Sequence, residues 1–182
     1  IDNSQLMTTE RKSVSIVVPV YNSAKTLEVL TGRIHGSINT CTSNYEMLLV
    51  NDGSADNSWQ VITALSRANQ NIVGINLMKN SGQHNALLCG IRHAKYPYTV
   101  TIDDDLQFFP EDIPLLLNKI DEGGDVVYGV PNDQKHGIWR TPASKLIKVA
   151  IQVLLGNEIA RHISPFRVFK TKIRDVFKES NN

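Results

Sequence analysis

Apolar runs of β-branched residues alternate with segments of helical periodicity along most of this chain, and this alternation limits its fold more than any other feature. The first run, from Val14 to Val20, is almost continuously apolar, which is typical of a strand buried on both faces of a parallel sheet. Strands are predicted at residues 14–20, 46–51, 72–77, 99–102 and 125–128. A turn and a predicted helix follow each of the first four, which indicates βαβ units. The sequence therefore predicts an α/β fold, a Rossmann-like three-layer sandwich with a mainly parallel central sheet.

The predicted helices have recognisable ends. The first begins at Ala24, with Ser23 as its N-cap, and ends near Ser37. Two more are predicted around residues 59–65 and 86–91. The fourth begins at Pro110, where a proline and acidic residues suit the first turn, and ends before the glycine pair at 123–124.

After Gly129 the alternation stops. A polar loop is predicted at residues 131–137, a helix from Arg140 to Leu155, and a short strand from Ile163 to Phe169. That helix carries more apolar residues than a surface helix needs, so it is expected either in the core or against a membrane or partner. Residues 1–13 are predicted to be disordered or added to the chain, 14–170 to form one domain, and 171–182 to be a tail before membrane segments.

Length, cysteine count and charge distribution limit the classes of protein to which this chain could belong. With 182 residues, 41% of them hydrophobic, the chain is expected to form one domain with a normal core. Its two cysteines, Cys41 and Cys89, are too few for a disulfide framework and lack metal-ligand spacing. Residues 134–182 hold ten Lys or Arg against three Asp or Glu, whereas residues 1–133 hold nine against fifteen. This asymmetry predicts an anionic partner near the C-terminal part, phosphates or a lipid surface rather than nucleic acid.

Polar, turn-forming clusters follow the predicted strands. Because ligands of such sheets bind at the carboxyl ends of the strands, these clusters are expected along one rim. They are Tyr21-Asn22, Asp52-Gly53-Ser54, Asn80-Ser81-Gly82 and Asp103-Asp104-Asp105. Three adjacent carboxylates repel one another, which a hard divalent cation would offset. In an extended backbone Asp103 and Asp105 point to the same side and are the better ligand pair, although a solvated acidic turn before Pro110 is the alternative.

These motifs resemble the inverting glycosyltransferases of family 2, which have the GT-A fold. The shared segments are Ile16 to Asn22, Val50 to Ser54 and the acidic cluster. The chain is most similar to the branch that includes dolichyl-phosphate mannose synthase and bacterial undecaprenyl-phosphate sugar transferases. The marks of that branch are Asn80-Ser81-Gly82, Asp103-Asp104-Asp105-Leu106-Gln107, Asp125-Val126-Val127-Tyr128-Gly129 and Ser164-Pro165-Phe166-Arg167. The resemblance implies that residues 14–170 form a GT-A catalytic domain.

The resemblance also implies a nucleotide-sugar site. Tyr21 would stack on the base, Asp52 would accept a base N–H, and Asp104 would face the ribose or sugar. Mg²⁺ or Mn²⁺ would be held by Asp103, Asp105 and Gln107, and would act as a Lewis acid on the leaving diphosphate. The full predicted donor site is Pro19, Tyr21, Asn22, Asp52, Ser54, Asn80, Gly82, His84 and Asp104.

The implied acceptor is a polyprenyl phosphate, which needs no catalytic base because it is already ionised at neutral pH. Arg140 and Ser144, on one face of the predicted helix, would grip its phosphate, with Arg167 adding a second guanidinium. Together with Asp103 and Asp105, Arg140 and Ser144 are the predicted catalytic residues. The chain departs from many relatives where Val130-Pro131 follows Gly129 in place of an arginine, so Lys135 or His136 would have to help bind phosphate.

Two alternatives remain at this stage. The first is a family 2 transferase that acts on a glycan hydroxyl in cell-wall or O-antigen assembly, with Asp133 as its base. The second is a non-catalytic nucleotide-sugar-binding domain. The acceptor implied by the resemblance places the protein at the cytoplasmic face of a membrane. The protein is also expected to be able to form oligomers. The sequence identifies neither the sugar nor the base of the donor.

Overall fold

The structure is a computed structural model that describes residues 12–129, the backbone of 139–140, and 164–177. Most of the helix predicted at 140–155, together with Asp133, Lys135, His136 and Ser144, lies outside the described residues. The strands are β1 (Val14–Val20), β2 (Tyr45–Asn51), β3 (Ile72–Asn76), β4 (Tyr98–Thr101), β5 (Val126–Tyr128), β6 (Trp139–Arg140) and β7 (Arg167–Lys170). The α-helices are α1 (Leu27–Ile38), α2 (Ser58–Ala68), α3 (Gln83–His93) and α4 (Ile113–Asp121). Two 3-10 helices cover Pro110–Asp112 and Thr171–Phe177.

The described strands form one sheet in the order β3-β2-β1-β4-β7-β5-β6. β1 pairs in parallel with β2 and β4, and β2 pairs in parallel with β3. β7 is antiparallel to both β4 and β5, and β6 is antiparallel to β5. All strands except β6 and β7 therefore run in the direction of β1. This confirms the predicted α/β fold with a mainly parallel sheet, and the antiparallel β7 inserted beside β4 is the part that periodicity alone does not predict.

The central strand β1 is buried along its whole length, as its sequence predicts. Ile16 and Val18 face a large core that α1 and α4 complete, whereas Val17 faces a smaller cluster with Leu87 of α3. The α3 layer lies very close to the sheet, because a Cβ on Gly90 would come within 2.3 Å of Val17 Cγ1. The sheet is thus covered on both faces, which gives the three predicted layers.

The predicted start of the first helix is wrong. α1 begins at Leu27 with Thr26 as its N-cap, three residues after the predicted start. The intervening backbone is held by the loop after β2, because the N–H of Ser23 donates to Ser58 Oγ (2.9 Å) and that of Ala24 to an Asp56 carboxylate oxygen (3.1 Å). These bonds satisfy the N–H groups of Ser23 and Ala24 while the backbone forms a turn instead of the first turn of a helix.

The prediction that a helix begins at Arg140 is also wrong. Its backbone belongs to β6, where it pairs with Val127 of β5. Pairing at the sheet edge satisfies the backbone at this position. Ser144, the residue that was expected to share a helical face with Arg140, lies outside the described residues.

The last strand also starts later than predicted, at Arg167 instead of Ile163. Pro165 has no N–H to give to a sheet, and its carbonyl accepts instead from Thr101 Oγ1 (2.6 Å). Beyond β7, Arg174 donates to the carbonyl groups of Ile91, Arg92 and Ala94 at the end of α3. The packed part of the chain therefore continues past the boundary predicted at residue 170. Within the described ranges, no helix combines the length and apolar character needed to cross a membrane.

Candidate active site

A cleft of about 250 Å³ opens at the carboxyl ends of the parallel strands. It is lined by Pro19, Val20, Tyr21, Asp52, Asn80, Gly82, Gln83, Asp103, Asp104 and Asp105. The sheet brings these residues together because β1, β2, β3 and β4 all end at this edge. Of the lining residues, only Val20 and Gln83 were not predicted as site residues.

The three aspartates after β4 have different partners. Asp103 Oδ1 accepts from Gln83 Nε2 at 2.7 Å, and Asp104 Oδ2 accepts from the N–H of Tyr21 at 3.0 Å. Asp105 Oδ1 accepts from the N–H of Gln107 at 3.0 Å. The side chain at 104 is thus directed to the loop after β1, and Asp104 and Asp105 lie in a turn rather than in an extended strand.

The electrostatics of this cluster favour a cation. Burial, followed by repulsion from Asp105, raises the pKa of Asp103 to about 6, although the hydrogen bond from Gln83 opposes the shift. Burial also raises the pKa of Asp104, against the hydrogen bonds from Ser23 and Tyr21. A positive ligand in the cleft would lower the cost of ionising both groups.

The donor set fits a metal ion that is shared with a ligand. Within residues 12–129 and 164–177, no three His, Cys, Asp or Glu side chains are arranged to hold a metal by themselves. Mg²⁺ and similar ions are usually bound by one or two carboxylates plus substrate phosphates and water. Asp103 and Asp105, both on the cleft, supply that pair, whereas Gln107 is exposed and does not line it. The oxygen chemistry of the cleft therefore suits a hard cation together with a diphosphate.

Asp52 forms the buried end of the cleft. It is 3% exposed, and its Oδ1 accepts from the N–H of Ser81 at 2.7 Å. Gly53 has φ +65°, and a Cβ there would lie 2.5 Å from the Asn80 nitrogen. The loops after β2 and β3 are thus in direct backbone contact, and only glycine fits at position 53.

Asn22 and Ser54, both predicted to bind the nucleotide, lie beside the cleft and join its loops. The Asn22 N–H donates to Ser54 Oγ (3.0 Å), and Ser54 Oγ donates to Asn51 Oδ1 (2.6 Å). Asn22 adopts φ 55°, and its Oδ1 accepts from the N–H of Ala55 at 2.8 Å. This bonding fixes the loop that carries Tyr21, whose ring remains half-exposed at the mouth of the cleft.

The remaining predicted residues are placed differently. His84 is exposed in the first turn of α3 and does not line the cleft. Arg167, on β7, is hydrogen-bonded to Tyr128 and attracted by Asp103, and burial lowers its pKa. Its Nε is fully buried and has no hydrogen-bond partner among the described residues. For Arg140 the structure describes only the backbone.

Packing explains two of the sequence motifs, the one that ends at Gly129 and the one that contains Phe166. Phe166 is buried against Gly129, where a Cβ would lie 2.3 Å from the Phe166 ring, and against Phe108, with ring centroids 5.6 Å apart. The N–H of Gly129 donates to the Phe166 carbonyl at 2.8 Å. The two motifs therefore hold the ends of β5 and β7 together, next to Arg167 and Tyr128. The sequence analysis missed Tyr128 and Gln83, although Tyr128 lies inside a motif that it identified and Gln83 directly follows one.

The sequence model of glycosyl transferase family 2 matches residues 15–177, nearly the whole described fold. The chain belongs to glycosyl transferase family 2. This confirms the family that the motifs predicted, while its branch is not decided by the match.

Solved structures share the fold of this family 2 domain. S. aureus TarS 1–349 in complex with UDP-GlcNAc has a TM-score of 0.63 and 22% identity, over 91% of this chain and 47% of that one. The mannosyltransferase PcManGT from Pyrobaculum calidifontis, in complex with GDP-Man and Mn²⁺, has a TM-score of 0.65 and 16% identity, over 96% and 48%. Glucosyl-3-phosphoglycerate synthase from Mycobacterium tuberculosis, in complex with Mn²⁺, UDP and glucosyl-3-phosphoglycerate, has a TM-score of 0.59 and 16% identity, over 89% of this chain and 58% of that one. The chain thus spans about half the length of the first two structures.

Proposed function

We propose that this family 2 domain is a metal-dependent, inverting glycosyltransferase that moves a sugar from a nucleotide-sugar donor to a polyprenyl phosphate. The donor part is supported by the acidic cleft, which combines a buried Asp52, an aromatic ring at Tyr21 and carboxylates suited to a cation and a diphosphate. Similar folds are recorded with UDP-GlcNAc, and with GDP-Man and Mn²⁺.

The residues of the cleft have different proposed roles in donor binding. Asp52 and Tyr21 bind the base, and Asp104 holds the loop that carries Tyr21 while it faces the sugar side of the donor. Asp103 and Asp105 would hold a divalent ion, which would supply positive charge for the leaving nucleoside diphosphate. Gln83 donates to Oδ1 of Asp103 and would orient this carboxylate for the ion.

The proposal that the acceptor is a phosphate is supported by Arg167. Its guanidinium lies near Asp103, and its buried Nε has no partner in the described part of the chain. An unsatisfied buried donor costs free energy, which an anionic oxygen at this position would recover. A phosphate held by Arg167 would lie near Asp103, and its oxygen would attack the anomeric carbon of the donor sugar as the bond to the diphosphate breaks.

An acceptor phosphate fits the described chemistry because it needs no separate base. Its second ionisation lies near pH ~6, so an attacking oxygen is available at neutral pH. Such an acceptor would place the protein at the cytoplasmic face of a membrane. The marks of the polyprenyl-phosphate branch, Asn80-Ser81-Gly82 and Ser164-Pro165-Phe166-Arg167, support this choice.

The test measures transfer of labelled sugar to undecaprenyl phosphate or dolichyl phosphate in detergent, with and without Mn²⁺. Arg167→Lys keeps the charge but loses the fixed guanidinium geometry, so it should lower transfer at least about tenfold while the affinity for nucleotide stays within about twofold. Equal losses of transfer and nucleotide affinity would contradict the assignment of Arg167 to the acceptor.

A second candidate is transfer to the hydroxyl group of a small or polymeric acceptor. One structural neighbour holds glucosyl-3-phosphoglycerate, a product of transfer to a phosphorylated small molecule. The same assay run with 3-phosphoglycerate and with soluble glycans distinguishes the two, because transfer to these acceptors but not to the lipid phosphate would favour the second candidate.

A further inference from the structure

We infer that Tyr128 is a positioning residue of this site: its hydroxyl group holds the Arg167 guanidinium away from Asp103, so that both charged groups stay available to ligands. This inference rests on the proposed function, which assigns Arg167 to the acceptor phosphate and Asp103 to the metal ion. It goes further because Tyr128 touches neither ligand in that proposal, yet would decide whether the two charged residues can bind them.

Tyr128 and Arg167 face each other across two strands. They are direct partners in the antiparallel pairing of β5 with β7, and the Tyr128 hydroxyl accepts a hydrogen bond from the Arg167 guanidinium. On the other side of β7, the register partner of Arg167 is Thr101 of β4, two residues before Asp103. Arg167 therefore lies between its hydrogen-bond partner and the strand that leads into the acidic cluster.

Asp103 attracts Arg167, but the two side chains do not form an ion pair. Their opposite charges interact, whereas none of the ion pairs among the described residues joins them. Each is held by an uncharged partner instead, Arg167 by Tyr128 and Asp103 by Gln83 Nε2 at 2.7 Å. Two neutral side chains thus keep opposite charges apart.

A direct ion pair would withdraw both charged groups from the proposed reaction. An Asp103 carboxylate paired with a guanidinium would be a poorer ligand for a divalent cation, because the guanidinium would occupy its oxygens and repel the ion. Arg167 in turn would lose much of its attraction for a phosphate. Because opposite charges attract strongly in a partly buried site, a contact that holds Arg167 back is needed, and Tyr128 supplies it.

The position of the Tyr128 hydroxyl is fixed by the packing of its ring. Side chains alternate along a strand, so Val126 and Tyr128 of β5 lie on the same face of the sheet as Arg167 and Phe169 of β7. On that face Tyr128 packs against the apolar cluster of Val126 and Phe169. Tyr128→Phe should therefore remove the hydrogen bond to Arg167 and leave the packing in place.

The first experiment measures Mn²⁺ binding to the wild-type protein and to Tyr128→Phe from the electron paramagnetic resonance signal of free Mn²⁺, with UDP and separately with GDP. Without the hydroxyl, Arg167 can pair with Asp103, so the variant should bind Mn²⁺ at least about tenfold more weakly. Its transfer of sugar to undecaprenyl phosphate should stay below that of wild type even at saturating Mn²⁺, because Arg167 is no longer held for the acceptor. An unchanged Mn²⁺ affinity would overturn the inference.

The second experiment repeats the measurement in an Arg167→Gln background, which lacks the charge that Asp103 attracts. Arg167→Gln alone should bind Mn²⁺ at least as tightly as wild type, because a positive charge near the ion is lost. Adding Tyr128→Phe should then change the Mn²⁺ affinity by less than about twofold, so the two substitutions are strongly non-additive. An equal loss in both backgrounds would mean that Tyr128 only supports the local structure, and would overturn the inference.

A matched control comes from Tyr98, another half-buried tyrosine of the sheet. It is the first residue of β4, at the end of that strand opposite to Asp103, and its register partner on β7 is Lys170. Tyr98→Phe removes the same hydroxyl and should keep the Mn²⁺ affinity of wild type. A loss as large as that in Tyr128→Phe would overturn the inference.

The same measurements separate this inference from the proposed function. Wild-type protein that binds Mn²⁺ with a nucleotide but transfers sugar only to soluble acceptors would contradict the polyprenyl phosphate acceptor, and the Mn²⁺ affinities of the variants would still decide the role of Tyr128. Wild-type protein that binds no Mn²⁺ with either nucleotide would contradict both.

Discussion

Removing the charge of Asp103 should stabilise the metal-free protein at neutral pH while it abolishes transfer. The folded structure raises the pKa of Asp103 from 3.8 to about 6, chiefly through burial and then through Asp105. A group with a raised pKa in the folded state favours folding below its unfolded pKa, and this contribution is lost as the pH rises through the folded pKa. The ionised Asp103 should therefore cost stability above pH 6, by an amount on the order of 3 kcal/mol for a shift of about two units.

The variant for this test is Asp103→Asn, which keeps an oxygen acceptor for Gln83. Urea unfolding from pH 4 to pH 8, in the presence of a chelator, should show the variant more stable than wild type at pH 8, with the difference shrinking as the pH falls toward 4. Added Mn²⁺ should stabilise the wild type and leave the variant nearly unchanged. Equal stability of the two proteins at every pH would refute the reasoning.

Glu111 supplies a control of opposite sign. Its hydrogen bonds with the Arg33 guanidinium, at 2.7 and 2.9 Å, lower the pKa of this glutamate. Its stabilising contribution is present above its unfolded pKa and is lost as the pH falls through the folded value. Glu111→Gln should therefore lower stability at pH 8, slightly because the pair is exposed, and have no effect well below pH 4.

Two further predictions concern packing and loop contacts. Gly129→Ala should destabilise the fold by about 1–3 kcal/mol, because its Cβ would lie 2.3 Å from the Phe166 ring. Gly124→Ala is the control: its Cβ would lie 3.6 Å from its nearest neighbour, so it should lower the thermal midpoint much less. Equal decreases in the thermal midpoint of the two variants would contradict this prediction. Asp104→Ala removes the acceptor of the Tyr21 N–H and should weaken UDP binding several-fold in a calorimetric titration, and Asp104→Asn, which keeps an oxygen there, should retain more of the affinity. Identical losses in both variants would mean that the charge at position 104, not the loop contact, supports binding.

Much of the parallel half of the fold could be predicted from the sequence. The apolar run at Val14–Val20 and the turn after each parallel strand depend on local chemistry, so strand positions and the shared rim followed from them. Contacts between distant segments could not be predicted in this way. The antiparallel β7 reaches β4 from the far end of the chain, and nothing in its own sequence specifies that neighbour.

The same distinction applies to the site. Residue type and position at a strand end predicted that Asp52 and the three aspartates line one cleft, as they do. They did not predict that Asn22 and Ser54 would bond to each other beside it, or that Gln83 would contact Asp103. Those outcomes depend on side-chain geometry between loops, which sequence spacing does not contain.

The rim loops are joined mainly through backbone N–H groups that donate to side chains of the neighbouring loop. The N–H of Tyr21 donates to Asp104, that of Ser81 to Asp52, and that of Asn22 to Ser54. A side chain that accepts such a bond has one lone pair fewer for a ligand, and the bond fixes its orientation. The contacts that hold the cleft together therefore also limit the directions from which these side chains can accept a hydrogen bond from a ligand, as the bond from Ser81 to Asp52 illustrates.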